Sequence, residues 1–389
     1  IWLLYGIGIG FEAGAASCVS RAVGENKTGL ARRLTTDTAV LAALAGLLLC
    51  LVGLASIEPV FKMLGAPDEL MPQIRAYMGV WYWVTPMDAA FWTCLASIRA
   101  RGNALLESKI ITVAALLNLV LDPLFIFGWF GFPRLEIQGA AVATLISVFT
   151  MLLFTIWHLH SRLNVFASII APFKDILDSW IHMLKIGIPA MLTNAIIPLS
   201  SGIVVMMLAN YGIDAVAGFG IAMRLEPMAL IPFYALSAVS SPFFGQNYGA
   251  KHYDRLLEAR KIIMRFCLGF GLALAIFMSL VAEPLAGLFT DSASIRAVAV
   301  NYIWIVSWSW GAHGIVMSVN AGFNGSGRPL PSVMISATRV IFVFLPLAFA
   351  GSWLFGINGL FAASTLANLA VSIMAFVWLK RHITTSAKP

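Results

Sequence analysis

"VAALLNLVLDPLFIFGWFGF", residues 113–132, carries one ionisable side chain, Asp122, in a run that is otherwise almost wholly apolar. A helix rising about 1.5 Å per residue crosses a hydrocarbon core of about 30 Å in some twenty residues. The same run could also be a helix buried in a soluble core, so composition has to decide between the two solvents. The chain is 60% hydrophobic and 11% charged, where a soluble domain carries about 25% charged residues. It has too few polar side chains to cover itself in water. The sequence therefore reads as an all-α, polytopic membrane protein.

Working outward from that run, hydropathy and helix breakers predict eleven spans. They lie near 1–20, 34–57, 76–98, 107–129, 138–159, 186–209, 214–244, 264–284, 298–321, 331–353 and 357–379. One connection is long. Within it "APFKDILDSWIHMLK" (171–185) has the pattern of an amphipathic surface helix joining two halves. The expected organisation is a first lobe over 1–160, a cytoplasmic linker over 161–185 and a second lobe over 186–389. The chain opens with Ile inside an apolar run, and the N-terminus is expected to be truncated.

The net charge of +7 could suggest nucleic acid, but its distribution explains it otherwise. Of 25 Lys and Arg residues, 19 fall on the side of the membrane that holds segment 21–33, and four fall on the other. Basic residues mark the cytoplasmic side, so the C-terminus is expected in the cytoplasm. No nucleic-acid partner is needed. The four cysteines are widely spaced in apolar runs and form no C-x-x-C pair, which suits small packing residues.

An internal repeat runs at an offset of 225 residues. Glu58-Pro59 recurs as Glu283-Pro284, Tyr77 as Tyr302, Trp83 as Trp308, Gly24 as Gly249 and Gly102 as Gly327. "IQGAAVAT" (137–144) recurs as "INGLFAAS" (357–364) after a loop five residues longer in the first half. A shared register over most of a half-chain marks a duplicated unit. Residue 1 then corresponds to Glu226 and span 186–209 has no partner, so the register implies one more span, roughly 45 residues, ahead of residue 1. Two six-helix lobes, the first lacking its first helix here, would be related by a pseudo-twofold along the membrane normal.

At this point the sequence resembles the multidrug and toxic compound extrusion (MATE) family of secondary transporters, within a superfamily that also holds lipid-linked sugar flippases. The residues that carry the resemblance are "LNLVLDPLFIFG" (117–128), "RARGN" (99–103), "GFGIAMRLEPMALIPFYALSAVSSPFFGQNYGAKHYDRL" (218–256) and the paired glycine turns. The resemblance implies export of drugs, toxins or metabolites in exchange for protons or sodium ions, by alternating access of two lobes around a cleft. It also implies an ion pocket in the first lobe, onto which Asn118 and Asp122 carry over. The family's first-span Asp would lie ahead of residue 1.

An ionised group at mid-bilayer costs on the order of 3 kcal/mol or more, so ionisable residues inside spans are candidate sites. Asp122 shares a helix face with Asn118 at i, i+4, and Pro123 loosens the turn beside it. Asp88 follows the kink residue Pro86, and its repeat mate is His313. A histidine that titrates near neutrality suits proton exchange. Glu226, in "MRLEP", is a coupling candidate and Arg339 its candidate partner. Arg224 and Arg339 read as structural, and Glu12 reads as a satisfied packing-site acid. For each coupling candidate the alternative is a hydrogen-bonded structural residue near a kink or helix end.

Gly6, Gly8, Gly10 and Gly14 resemble a dinucleotide fingerprint, but no strand precedes them, and close helix packing explains them better. "GENKTGLA" (24–31) lacks the Lys-Ser of a phosphate loop. The six histidines form no metal-ligand cluster.

The expectation is a secondary antiporter of the plasma membrane, not an enzyme, with no cofactor and with H+ or Na+ as coupling ion. Sodium, if used, would sit at Asp122 and Asn118. The cargo is read as a cationic or amphipathic small molecule, and the protein as a monomer in contact with membrane lipid. The alternatives are a lipid-linked precursor flippase and a membrane-embedded enzyme.

Overall fold

The computed structural model describes the backbone of residues 2–387 and, within it, every side chain except those of residues 2–5, 7, 197 and 198. Residue 1 of the first predicted span and Lys388, one of the basic residues counted above, lie outside the described residues. All regular structure in the described chain is helical. The helices are α1 (Trp2–Gly24), α2 (Thr28–Met63), α3 (Met71–Arg99), α4 (Ala104–Phe127), α5 (Ile137–Ser161), α6 (Phe173–Ala209), α7 (Ile213–Ala229), α8 (Ile231–Gly249), α9 (Tyr253–Gly287), α10 (Ala293–Val306), α11 (Trp310–Gly325), α12 (Leu330–Ala337) and α13 (Leu345–Ser386). By length and apolarity alone, six of the described helices can cross a membrane, or seven if α7 and α8 form one span.

Helix α4 shows which solvent the surface is built for. Leu116, Leu119 and Val120 are 56%, 66% and 58% exposed. Their apolar area stays out of water only if hydrocarbon surrounds it.

Several spans are broken where the sequence reading expects continuous helices. Span 214–244 is bent by 49° between α7 and α8, where Pro227 and Pro232 each remove a backbone donor. Span 298–321 is interrupted by a 3-10 turn, Ser307–Ser309, between α10 and α11. Span 331–353 winds into a π-helix over Thr338–Phe344, between α12 and α13. Within α13 the backbone leaves helical geometry at Gly356, at φ 63° and ψ −143°. There the chain folds back. Gly351 and Gly359 would lie about 12 Å apart along a straight helix, yet a Cβ built on Gly359 would sit 2.0 Å from the Gly351 carbonyl oxygen. Predicted spans 331–353 and 357–379 are thus a helical hairpin that touches backbone to backbone.

The linker also differs from expectation. Residues 171–185 form no separate surface helix, because α6 starts at Phe173 and runs unbroken to Ala209. Ahead of it, the chain is tied to the start of α2. Arg32 Nε donates to the Asn164 carbonyl (2.6 Å), Arg33 Nη1 to that of Ser168 (2.7 Å), and the Ala167 amide to Thr36 Oγ1 (2.9 Å). By its internal contacts the chain divides into a first unit ending at Ile188 and a second beginning at Pro189.

Local geometry repeats between the units at the sequence offset. In the first, the Lys27 amide reaches back to the Ala22 carbonyl at 2.9 Å; its mate, His252, reaches Asn247 at 2.8 Å. The residue that turns left-handed in these caps is Asn26 (φ 58°) and Lys251 (φ 59°), two positions beyond the glycines matched from sequence. Asn103 to Ile98 and Arg328 to Phe323 form a second such pair, closed by Gly102 (φ 88°) and Gly327 (φ 77°). Each is a Schellman-type helix end, in which a left-handed residue lets an amide satisfy an orphan carbonyl.

Close crossings repeat too. A Cβ on Gly46 would lie 2.5 Å from the Pro86 Cα, and one on Gly271 would lie 2.5 Å from the Gly311 Cα. Gly46 and Gly271 are 225 residues apart, as are Pro86 and Gly311. Gly139 against the Phe125 carbonyl in the first unit answers Gly359 against Gly351 in the second.

Candidate functional site

The second unit holds a partly open cavity of about 170 Å3 lined by Glu226, Tyr302, His313, Arg339 and Asn368 among apolar and aromatic side chains. The breaks in the spans position these groups. Glu226 precedes Pro227 and the bend at Leu230. Trp310 and His313 follow the 3-10 turn. Arg339 stands in the π-helical stretch. Such irregular turns expose backbone and redirect side chains, and they recur at functional sites.

Both oxygens of Glu226 are engaged. The Tyr302 hydroxyl donates to Oε2 at 2.7 Å and Trp310 Nε1 donates to Oε1 at 3.1 Å. Tyr302 and Trp310 are 6% and 1% exposed, so these donors are fixed by packing. Arg339 is not bonded to the Glu226 carboxylate, contrary to the pairing expected from sequence. Its Nη1 donates instead to His313 Nδ1 (3.4 Å) and to Asn368 Oδ1 (3.2 Å). Asn368 in turn donates through Nδ2 to Ser309 Oγ at 3.0 Å. A guanidinium has no lone pair to offer, so His313 accepts at Nδ1 and its ring is neutral in this conformation. Arg224 is exposed, away from this network.

In the first unit Asn118 and Asp122 are partly buried on one face of α4, with Pro123 inside the helix. Asn118 Nδ2 donates to Thr144 Oγ1 of α5 at 3.5 Å. Asp122 makes no hydrogen bond among the described residues. Asp88 accepts from Trp92 Nε1 at 3.0 Å, one turn on in α3. Its repeat mate His313 faces an arginine instead, so the two equivalent positions have different partners.

Arg99 holds two acids together, pairing with Glu12 and, at 2.7 Å, with Glu107. The side chains of Arg99 and Glu107 are 9% and 5% exposed. Glu12 is therefore satisfied, as its sequence context suggests, but by an ion pair. Of the Gly-rich run in α1, Gly14 packs against Met183 of α6, and a Cβ built on Gly187 of α6 would lie 3.0 Å from the Gly10 carbonyl oxygen. Gly6 and Gly8 meet nothing within 4 Å. The four cysteines are free and buried. No group of three or more His, Cys, Asp or Glu residues that could hold a metal occurs among the described residues.

Sequence reasoning missed Tyr302, Trp310 and Asn368 as site residues. Tyr302 stood out only as a repeat mate of Tyr77. Polar neutral residues on apolar helices carry no local signal of which cavity they line.

Long apolar helices in two repeated units, one of which carries a polar pocket, have the architecture of an integral membrane transport protein. The MatE family model matches residues 1–124 and 189–350, and the chain belongs to that family. A FAD transporter of Shewanella oneidensis is 34% identical over 97% of this chain and 84% of its own length. The probable multidrug resistance protein YoeA of Bacillus subtilis is 24% identical over 98% of this chain and 85% of its own. Among solved structures, the Vibrio cholerae MATE transporter VcmN in its bent form superposes with a TM-score of 0.93, at 29% identity, over 99% of this chain and 86% of that one.

Proposed function

We propose that this chain is a secondary antiporter that exports amphipathic metabolites, drugs or toxins in exchange for protons or sodium ions, by alternating access. The observation that carries the proposal is Glu226. A carboxylate beside a cavity inside a membrane-spanning unit must keep its charge at substantial cost or take up a proton or a cation. Tyr302 and Trp310 hold both oxygens in a fixed orientation, so the group is pre-positioned for that exchange. A ligand shifts a two-state equilibrium only by its differential affinity for the two states. Ion and cargo therefore compete for one state or bias opposite ones.

Asp122 and Asn118 are a second candidate coupling pair, supported by their shared face on α4. Asp88 and His313 are further candidates at repeat-equivalent positions. The cargo expected from sequence is cationic or amphipathic. The aromatic lining of the second-unit cavity supports an amphipathic one, and the FAD and multidrug relatives support small organic molecules. The basic-residue distribution supports a plasma-membrane protein with its C-terminus in the cytoplasm.

The test uses the full chain in proteoliposomes. Efflux of a fluorescent amphipathic dye is followed under an imposed proton gradient and, separately, an imposed sodium gradient. The expected result is acceleration by one gradient, which is lost in Glu226→Gln while the protein still elutes as a folded species. Wild-type rates in Glu226→Gln would refute the role of Glu226.

A further inference from the structure

The cavity of the second unit holds two opposite charges that do not meet. Each oxygen of Glu226 accepts from one neutral donor, Tyr302 or Trp310. Arg339 is held through one nitrogen, Nη1, by His313 and Asn368, which are also neutral. Its Nε is buried without a hydrogen-bond partner, and among the described residues Nη2 has none either. Nε–H and Nη2–H lie on the same edge of the guanidinium. That edge is the fork that binds carboxylates and phosphates with two parallel hydrogen bonds. A guanidinium clamped at one corner by neutral acceptors, with its two-pronged edge unfilled, lacks the acceptor that this chemistry calls for.

The surroundings say what the acceptor would be attached to. Arg339 lies in the π-helical turn Thr338–Phe344, which sets it in the cavity wall. The rings of Phe219, Tyr302 and Phe361 pack on one another in the same wall, with centroids 5.0 to 6.4 Å apart. The volume, about 170 Å3, is roughly ten times what one water needs. It accommodates an oxyanion with part of a flat ring behind it.

We infer that Arg339 is the anchor for an oxyanion, a carboxylate or phosphate group borne by an aromatic cargo molecule, and so sets the charge preference of the transporter. The inference rests on the exporter reading above and names the cargo class for the same cavity. It departs from a purely cationic cargo, because a cation at that edge would meet the guanidinium directly.

Binding of flavin mononucleotide and riboflavin to the purified full chain tests it, since the two share a ring system and differ by a phosphate. In phosphatidylcholine proteoliposomes the wild type binds the phosphorylated probe about tenfold tighter or more. Arg339→Gln brings the two affinities together by weakening the phosphorylated probe alone. Arg339→Lys, which keeps the charge and loses the fork, falls between. Equal affinity for both probes in the wild type, or equal loss of both in Arg339→Gln, overturns the assignment.

If instead Arg339 serves only to balance Glu226, Arg339→Gln combined with Glu226→Gln restores tight binding of the phosphorylated probe, and the assignment fails. Displacement of the probe by phosphatidylglycerol at matching potency would give the oxyanion to a lipid headgroup and overturn the cargo assignment. Binding is measured without any gradient. A chain that binds the probe but responds to no gradient refutes the antiporter reading and leaves the anchor standing; the converse result refutes the anchor alone.

Discussion

Tyr302 and Trp310 do for Glu226 what a cation would otherwise have to do, and they do it with neutral donors. A hydrogen bond to a charged group contributes about 1.5 to 3 kcal/mol. Tyr302→Phe is therefore expected to slow gradient-driven efflux by roughly tenfold or more, with a smaller effect on thermal stability, measured by unfolding in detergent. Arg99 makes the opposite case. Arg99→Met strands Glu107 as a buried acid and Glu12 as a half-buried one, and breaking a buried ion pair this way costs about 3 to 5 kcal/mol. The expected result is a sharply lowered unfolding midpoint, partly restored when Glu107→Gln is added. Full stability in Arg99→Met alone would show that the triad bears little load. At this scale the sequence exposed the charged residues, since each stands out against an apolar run. It hid their partners. Glu226 and Arg339 looked like a pair from charge alone, and only the packing of α10 and α11 shows that tyrosine and tryptophan reach the acid first.

The helices owe their crossings to glycine. At Gly46 and Gly271 a methyl group would press on backbone, on Pro86 and Gly311, and backbone cannot rotate away as a side chain can. Gly46→Ala and Gly271→Ala should each destabilise the protein by about 1 to 3 kcal/mol. Gly79→Ala, where nothing lies within 4 Å, should be neutral or slightly stabilising in the same unfolding assay. A neutral result at both crossings would contradict the close contacts. The long apolar helices α2, α4, α5 and α9 were legible because twenty apolar residues are hard to mistake, and the loops were legible from their glycines and prolines. The interior breaks were not. Nothing in "ATRVIFVFL" (337–345) announces the π-helix found over Thr338–Phe344. The linker helix was equally hidden: its amphipathic pattern changes to an apolar one at 186, where Gly187 and Pro189 suggest a break, yet α6 continues through both.

Across the whole molecule, the duplication seen as an offset of 225 in sequence returns as paired helix caps and paired glycine crossings. The repeat is thus a physical one, two units solving the same packing problem alike. Their polar interiors have diverged, with an acid at 88 where the second unit has a histidine at 313. The basic-residue distribution predicts a cytoplasmic C-terminus. A cysteine placed at Lys251 should react with an impermeant maleimide only from the cytoplasmic side, and one placed at Asp68 only from the other. The reverse pattern would invert the topology. The central claim is that the transporter draws on an ion gradient through carboxylates in its helical units. It is tested most directly by dye efflux from proteoliposomes holding the full chain, with proton and sodium gradients imposed one at a time. The account predicts that one gradient drives efflux against the dye's own gradient, and that Glu226→Gln or Asp122→Asn abolishes the driven component. Efflux that is the same with either gradient, with neither, and in both variants would contradict it.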